Sequence, residues 1–402
     1  MNLRMKTLRH KALSFEKRDS LNIGQKLGRP DRDFLACRLS WIVILLIFTG
    51  LWTRSTAAQQ NASAERNESP ALSAQQAVAI LKSHQHIQGY WLTPYTSGLR
   101  FKHPGIEMNI FLTAMMIDVL DPVAKEASLD ESLQRARQYL ADQIEAGGLV
   151  RYHGRPDAPT IHTLGCIITP DADDTALVWR IAPGAHPELL QTALKTLNQY
   201  RTSEGLYRTW LAPSDDYRCI DPGKDPNPAD IGIQMHVLML LAESNPSAGQ
   251  SLCNTLRPVI TEDRIWVYYK VAPLIPILRQ ADLQKAGCSL KLPVSRLRSD
   301  VPGQEIWIDA TMMLQRMSGI GGSVPSSAEV LDLLQKLSRD DFAAVRQSPP
   351  LLYHNDFTGS TPRFYWSWDF GYALWLRLYF ENARNHPVRI SGKDKHAAWN
   401  LK

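Results

Sequence analysis

The sequence predicts an all-α fold, a single (α/α)6 toroid preceded by an N-terminal membrane or signal segment. Three observations predict it. Beyond residue 71 one helical stretch follows another, and no convincing run of strand-like alternation interrupts them. The helices also alternate in character: IFLTAMMIDVL, TALVWRI, IGIQMHVLMLL and YALWLRLYF are nearly apolar all round, whereas SLQRARQYLADQIEA and SSAEVLDLLQKL are amphipathic. A helix apolar on every side is buried on every side, so the first set forms an inner ring and the second an outer ring, about six of each. Finally, NIFLTAMM, DADDTALVW, PADIGIQMHV, EIWIDATMML and WSWDFGYALW share a polar N-terminal edge and an apolar body, which is internal repetition. Aligned, they gather Asn109, Asp173, Asp230, Asp309 and Asp369 at one mouth of the barrel.

Residues 1–38 form a basic, polar tail that runs from Arg4 to Arg38. The apolar run Ser40–Trp52, within segment 39–54, is shorter than the roughly 20 residues of a spanning helix and matches a signal-peptide core. Small residues from Ser55 to Ala58 suit cleavage, while the long leader suits an uncleaved anchor. Positive charge ahead of the run holds the N-terminus inside, so the rest of the chain is expected to be exported, anchored to the membrane or secreted. Residues 55–71 read as a linker, with glycosylation sequons at Asn61 and Asn67.

The toroid spans 72–384, with helices expected at Leu72–Gln85, Ile106–Leu120, Asp130–Glu145, Asp173–Ile181, Pro187–Tyr200 and Asp230–Glu243. Further helices are expected at Gly249–Leu256, Arg264–Leu278, Asp282–Leu290, Glu305–Met317, Ser327–Leu337 and Trp366–Phe380, before a basic tail at 385–402.

The net charge is +5, with much of the basic excess in the first forty residues and the tail, and no basic stripe with interleaved aromatics appears. That excludes a nucleic-acid partner. Beyond the apolar run, Cys166, Cys219, Cys253 and Cys288 form up to two disulfides in any of three connectivities. Without a CxxC pair or clustered ligands, no metal site and no cofactor are expected. His84, His86 and His236 read as structural histidines.

The chemistry concentrates in Pro170–Arg180, PDADDTALVWR, which sets Asp171, Asp173 and Asp174 within four positions. Crowded, partly buried carboxylates retain a proton above the usual range, and a retained proton makes a general acid. Asp173 would be the donor, with Asp171 and Asp174 shaping its hydrogen bonding. The same string also fits a proline-led, acid-rich helix start. Upstream, Gln85–Trp91 reads QHIQGYW: its glutamine can tie a helix end to the next turn, its glycine supplies an unusual backbone conformation, and its tryptophan seals the junction.

The D-x-D-D-T-A string resembles the acid motif of class II terpene cyclases, and QHIQGYW resembles the QW repeat of squalene cyclases and their prenyltransferase relatives. The resemblance covers most of Leu72–Phe380 and implies acid-initiated carbocation cyclisation of an isoprenoid, with Asp173 as proton donor. It implies an aromatic pocket that steadies carbocations. Trp266, Tyr268, Tyr269, Trp307, Trp366 and Trp368 are its expected aromatics, joined by Tyr365, with Asp309 and Asp369 from the barrel mouth. Expected partners are an isoprenoid or other lipid-like substrate, the membrane through segment 39–54, and a second subunit or second copy, because this chain has room for one barrel where such cyclases have two. Two alternatives stay open. A non-catalytic isoprenoid- or protein-binding scaffold would fill the barrel centre with Met and Leu; an exported carbohydrate-active α/α barrel would oppose two carboxylates across an open groove.

Overall fold

The computed structural model describes residues 69–387 except 162–164, 183, 185, 218, 220–226 and 356–361. The apolar run Ser40–Trp52 and nearly all of both tails lie outside the described residues. Among those described, no helix is long and apolar enough to cross a membrane. The order is α1 (Pro70–His84), β1 (Leu92–Thr96), β2 (Gly105–Met108), α2 (Ile110–Leu120), α3 (Asp130–Ala141), α4 (Ala172–Ile181) and α5 (Pro187–Gln199). Then come α6 (Ile231–Ser244), α7 (Pro246–Val259), α8 (Leu274–Lys285), α9 (Glu305–Met317), α10 (Ser327–Gln347), β3 (Leu351–Asn355), β4 (Arg363–Trp366) and α11 (Trp368–Asn385).

The protein is mostly helical, and six helices close a ring. α2 packs on α4, α4 on α6, α6 on α8, α8 on α9, α9 on α11, and α11 returns to α2. Composition explains their place: every residue of α2 except Asp118 is buried, as is all of Ile231–Leu241 in α6. Around them, α1 and α10 pack on α11, α3 on α2, α5 on α4 and α7 on α6. These bury one stripe only, such as Leu252, Cys253 and Leu256 of α7.

Two expectations are corrected. The outer ring has five helices among the described residues, because none intervenes between α8 and α9. Where the sequence suggested helices at Arg264–Leu278 and Asp282–Leu290, a single helix begins at Leu274. Pro273 precedes it, Pro276 sits in its first turn, and the Val267 and Tyr268 amides are already donated to Asp230. Second, the fold is not all-α: a small antiparallel sheet runs in the order β2-β1-β4-β3, with Tyr95 opposite Tyr365 and Tyr365 opposite Tyr353. Its strands are four or five residues long, too short for periodicity to separate them from helix ends. β2 was absorbed into the expected helix Ile106–Leu120, which actually starts after the extended cap Asn109.

The Gln85–Trp91 stretch works as a clasp. Gln85 Nε2 donates to Gly89 O and Ser132 O, both at 2.8 Å, and Trp91 Nε1 donates to Leu81 O at 3.1 Å. Gly89 has φ +106°, and a Cβ there would lie 2.4 Å from Arg135 O. Only glycine therefore lets the end of α1 close onto α3.

Of the three connectivities, Cys166–Cys219 and Cys253–Cys288 are present. The second ties outer helix α7 to the turn after α8, beside the gap in the outer ring, and closes 35 residues of chain. Replacing Cys253 and Cys288 together by serine should lower stability by about 2–4 kcal/mol. Urea unfolding without reductant measures it, and an unchanged midpoint would mean that packing alone holds this flank.

Candidate functional site

Four inner helices begin with side-chain caps at one end of the ring. Asn109 Oδ1 accepts from Leu112 N at 2.8 Å, Asp171 Oδ1 from Asp174 N at 2.8 Å, Asp230 Oδ1 from Gly232 N at 2.7 Å, and Ser367 Oγ from Phe370 N at 3.1 Å. The repeat is thus in a different register from the expected one. Asp171 and Ser367 are the equivalents of Asn109 and Asp230, while Asp173 and Asp369 stand two residues further on.

A cavity, partly open to solvent, lies at this end. The helices contribute Phe111, Ile233 and the three aspartates Asp171, Asp173 and Asp174. The segment before α8 contributes Tyr268 and Tyr269, and the sheet contributes Tyr353, Asn355 and Tyr365. Loops add Tyr152, Ile168, Thr209 and Trp210.

The three aspartates have separate fates. Asp171 caps α4, and burial pushes its carboxyl up to about 7 against hydrogen bonds from Asp174 and the backbone. Burial, then the charges of Asp171 and Asp173, push the Asp174 carboxyl well above the usual range, so it keeps its proton and shares it with Asp171. Asp173 faces the cavity with 18 % of its side chain exposed, and its Oδ1 lies 2.5 Å from His236 Nδ1.

Behind Asp173 the polarity is fixed. Arg279 Nε donates to His236 Nε2 at 2.8 Å. A guanidinium only donates, so Nε2 carries no proton and the ring proton sits on Nδ1, directed at Asp173. Burial lowers the His236 pKa, Asp173 opposes that shift and the Arg279 charge adds to it, keeping the ring neutral. Arg279, 1 % exposed, also binds Asp282 at 3.0 Å and Asp118, which Arg180 shares. Burial alone would raise Asp118, but the two guanidiniums bring it down to about 2.

The aromatic wall is held just as firmly. Asp230 Oδ2 accepts the Val267 and Tyr268 amides, both at 2.8 Å, and so sets Tyr268 and Tyr269 over the cavity. A Cβ on Gly232 would come within 2.2 Å of the Tyr269 ring, so this helix start must be glycine. Tyr353 stacks on Tyr365 at 4.6 Å, Phe111 meets Tyr353 edge-on at 4.9 Å, and Asn109 Nδ2 donates to the Tyr152 hydroxyl at 2.8 Å.

Of the pocket residues expected from sequence, the structure brings Tyr268, Tyr269 and Tyr365 to the three aspartates and places the others elsewhere. Trp266 is buried in the main core, with Nε1 on Ile260 O at 2.9 Å and Arg296 over its ring. Trp307 donates to Ser348 O at 2.7 Å and packs against Gly371. Trp366 and Trp368 belong to a second small core with Phe101 and Val301. Asp369 pairs with His84 at 2.7 Å, and Asp309 is exposed on α9. Sequence reasoning missed Phe111, Tyr152, Tyr353 and Trp210 as lining residues and Arg279 as a partner. Its one available signal was His236, a histidine inside the otherwise apolar MHVLMLL.

No family model matches the chain, and no curated protein matches it. Solved structures do resemble it. A protein from Actinoplanes aligns with TM-score 0.53 at 14 % identity over 78 % of this chain and 99 % of that one. Two structures of variants of the type II terpene cyclase MstE from Scytonema align with TM-score 0.50. The apo form has 14 % identity over 79 % of this chain and 97 % of that one. The complex with merosterolic acid A, its product, has 15 % identity over 78 % and 97 %. At these identities the likeness is one of fold.

A raised carboxyl favours its neutral form in the folded state, so its contribution to stability is complete below the unfolded pKa near 3.8 and is lost as pH rises through the folded value. Asp174→Asn should therefore flatten the decline of stability between pH 4 and pH 7. Thermal unfolding of both proteins across that range reads the difference, and parallel curves would mean that Asp174 is ionised in the fold.

Proposed function

We propose that this protein is a class II terpene cyclase-like isomerase, in which Asp173 protonates an alkene or epoxide of an isoprenoid and starts a carbocation cascade. One observation carries the reading: Asp173 opens onto an aromatic cavity with the neutral His236 donating to its Oδ1 and Arg279 fixing that tautomer. The step requires the transferable proton on the second Asp173 oxygen, the one that His236 does not address. The substrate π electrons take that proton, and the carboxylate left behind is stabilised by the His236 N–H. Positive charge developing along the chain then meets the faces of Tyr269, Tyr353, Tyr365 and Phe111. Loss of a proton ends the sequence, so the net change is isomerisation.

The fold likeness to a type II terpene cyclase supports this reading. A carbohydrate-active barrel is less well supported, because the carboxylates among the described lining residues form one cluster with none opposite. We also read the chain as a toroid of the terpenoid-cyclase type that is exported and anchored or released through segment 39–54; two disulfides support an oxidising compartment.

Asp173→Asn should fold with an unchanged melting temperature and lose cyclised product by at least about 10²-fold. Incubation of the full chain with isoprenoids, followed by mass spectrometry, tests this. Equal product from both proteins would remove Asp173 from the acid role, and product from neither would favour a non-catalytic binding toroid.

A further inference from the structure

We propose that the Cys166–Cys219 disulfide is a redox-sensitive clamp on the cavity wall. Closed, it fixes the segments that carry Ile168 and Trp210; a dithiol reductant opens it in the folded protein and leaves Cys253–Cys288 intact. The proposal stands on the construction of the wall and does not depend on what the cavity binds.

The bond joins the two loops that wall the cavity beside the acid cluster. Cys166 belongs to the loop between α3 and α4, which contributes Tyr152 and Ile168, and Cys219 to the loop between α5 and α6, which contributes Thr209 and Trp210. The loops are zipped antiparallel where α4 begins: Ala172 N donates to Thr209 O at 2.8 Å, Leu211 N donates to Pro170 O at 2.9 Å, and Asp171 bridges Trp210. Cys166 and Cys219 lie further along both segments in the direction away from α4, so the disulfide closes the outer end of this zip. Close to Cys219, the Tyr217 hydroxyl accepts Asn227 Nδ2 at 2.6 Å, and Asn227 accepts Trp210 N at 2.7 Å and donates to Trp210 O at 3.0 Å. A zip of so few bonds frays once the crosslink at its open end is cut.

Exposure separates the two disulfides. Cys253 and Cys288 are 0 % and 2 % exposed, inside the main core. Cys166 and Cys219 are half-buried, and Gly165 and Ile167 beside Cys166 are exposed. Thiol–disulfide exchange begins with a thiolate reaching a sulfur, so access decides which bond reacts. The reductant is a dithiol, such as that of an exported thiol–disulfide oxidoreductase. One of its thiolates attacks a sulfur of the Cys166–Cys219 bond and releases the other cysteine as a thiol; its second thiolate then resolves the mixed disulfide. Two electrons and two protons pass to the protein, Cys166 and Cys219 end as thiols, and the dithiol ends as a disulfide.

Dithiothreitol treatment of the folded full chain, followed by alkylation and peptide mass spectrometry, reads which bond opens. Cys166 and Cys219 should become alkylated at least about tenfold faster than Cys253 and Cys288. Hydrogen exchange then compares the oxidised and reduced protein: the amides of Trp210 and Leu211 should exchange about tenfold faster after reduction, while those of Ile233–Leu241 in α6 keep their protection. Replacing Cys166 and Cys219 together by serine should reproduce that pattern without reductant. Equal rates of opening for the two disulfides would overturn the proposal, as would unchanged exchange at Trp210 and Leu211 once Cys166–Cys219 is reduced. Loss of protection along α6 in the same experiment would overturn it too, because the bond would then hold the whole ring and not the wall. The comparison of oxidised with reduced protein stands whether or not the variant folds.

Discussion

A guanidinium that is 1 % exposed must be paired, and much of the ring's interior follows from how Arg279 is paired. It reaches Asp118 on α2, His236 on α6 and Asp282 on its own helix, and Asp118 in turn holds Arg180 of α4. Four consecutive inner helices are thereby cross-linked through one buried ionic group. The last member, His236, has no freedom in where its proton sits. The charge that stabilises the ring is the same charge that orients the histidine behind Asp173.

How much of this was legible in the sequence depends on whether the cause was local. The alternation of apolar and amphipathic helices reflects burial, a property each helix carries by itself, and α9 begins and ends where the sequence placed it. The Gln85 clasp spans few residues and was readable for the same reason. The carboxylate cluster was visible, but its division of labour was not, because it depends on partners such as His236, sixty-three residues away. Trp266, Trp307 and Trp366 look alike in sequence and differ only in which backbone carbonyl or side chain takes the indole N–H. The sheet escaped because its pairing joins residues 270 apart, with strands too short to announce themselves.

The cap register shows how one repeated position serves different ends. Two residues past each cap stand Phe111, Asp173, Gly232 and Asp369. The first forms cavity wall, the second offers a carboxyl to it, and the third is bare so that a tyrosine ring fits. The fourth is turned away into an ion pair with His84. A backbone that repeats exposes equivalent sites to one chamber, and side-chain size and charge then decide which of them carry chemistry.

Tyr353 and Tyr365 come from the last two strands, yet their sheet is completed by β1 near the start of the domain, which pairs with β4 through Tyr95 and Tyr365. During synthesis the acid cluster is complete some 180 residues before the wall that faces it. A nascent or truncated chain ending before β3 would retain five of the six inner helices but would lack β4 and the ring-closing α11. Its carboxylates would then face water where Tyr353 and Tyr365 stand in the finished chain. The chamber is thus the last feature the growing polypeptide acquires, and its chemistry belongs to the finished chain alone.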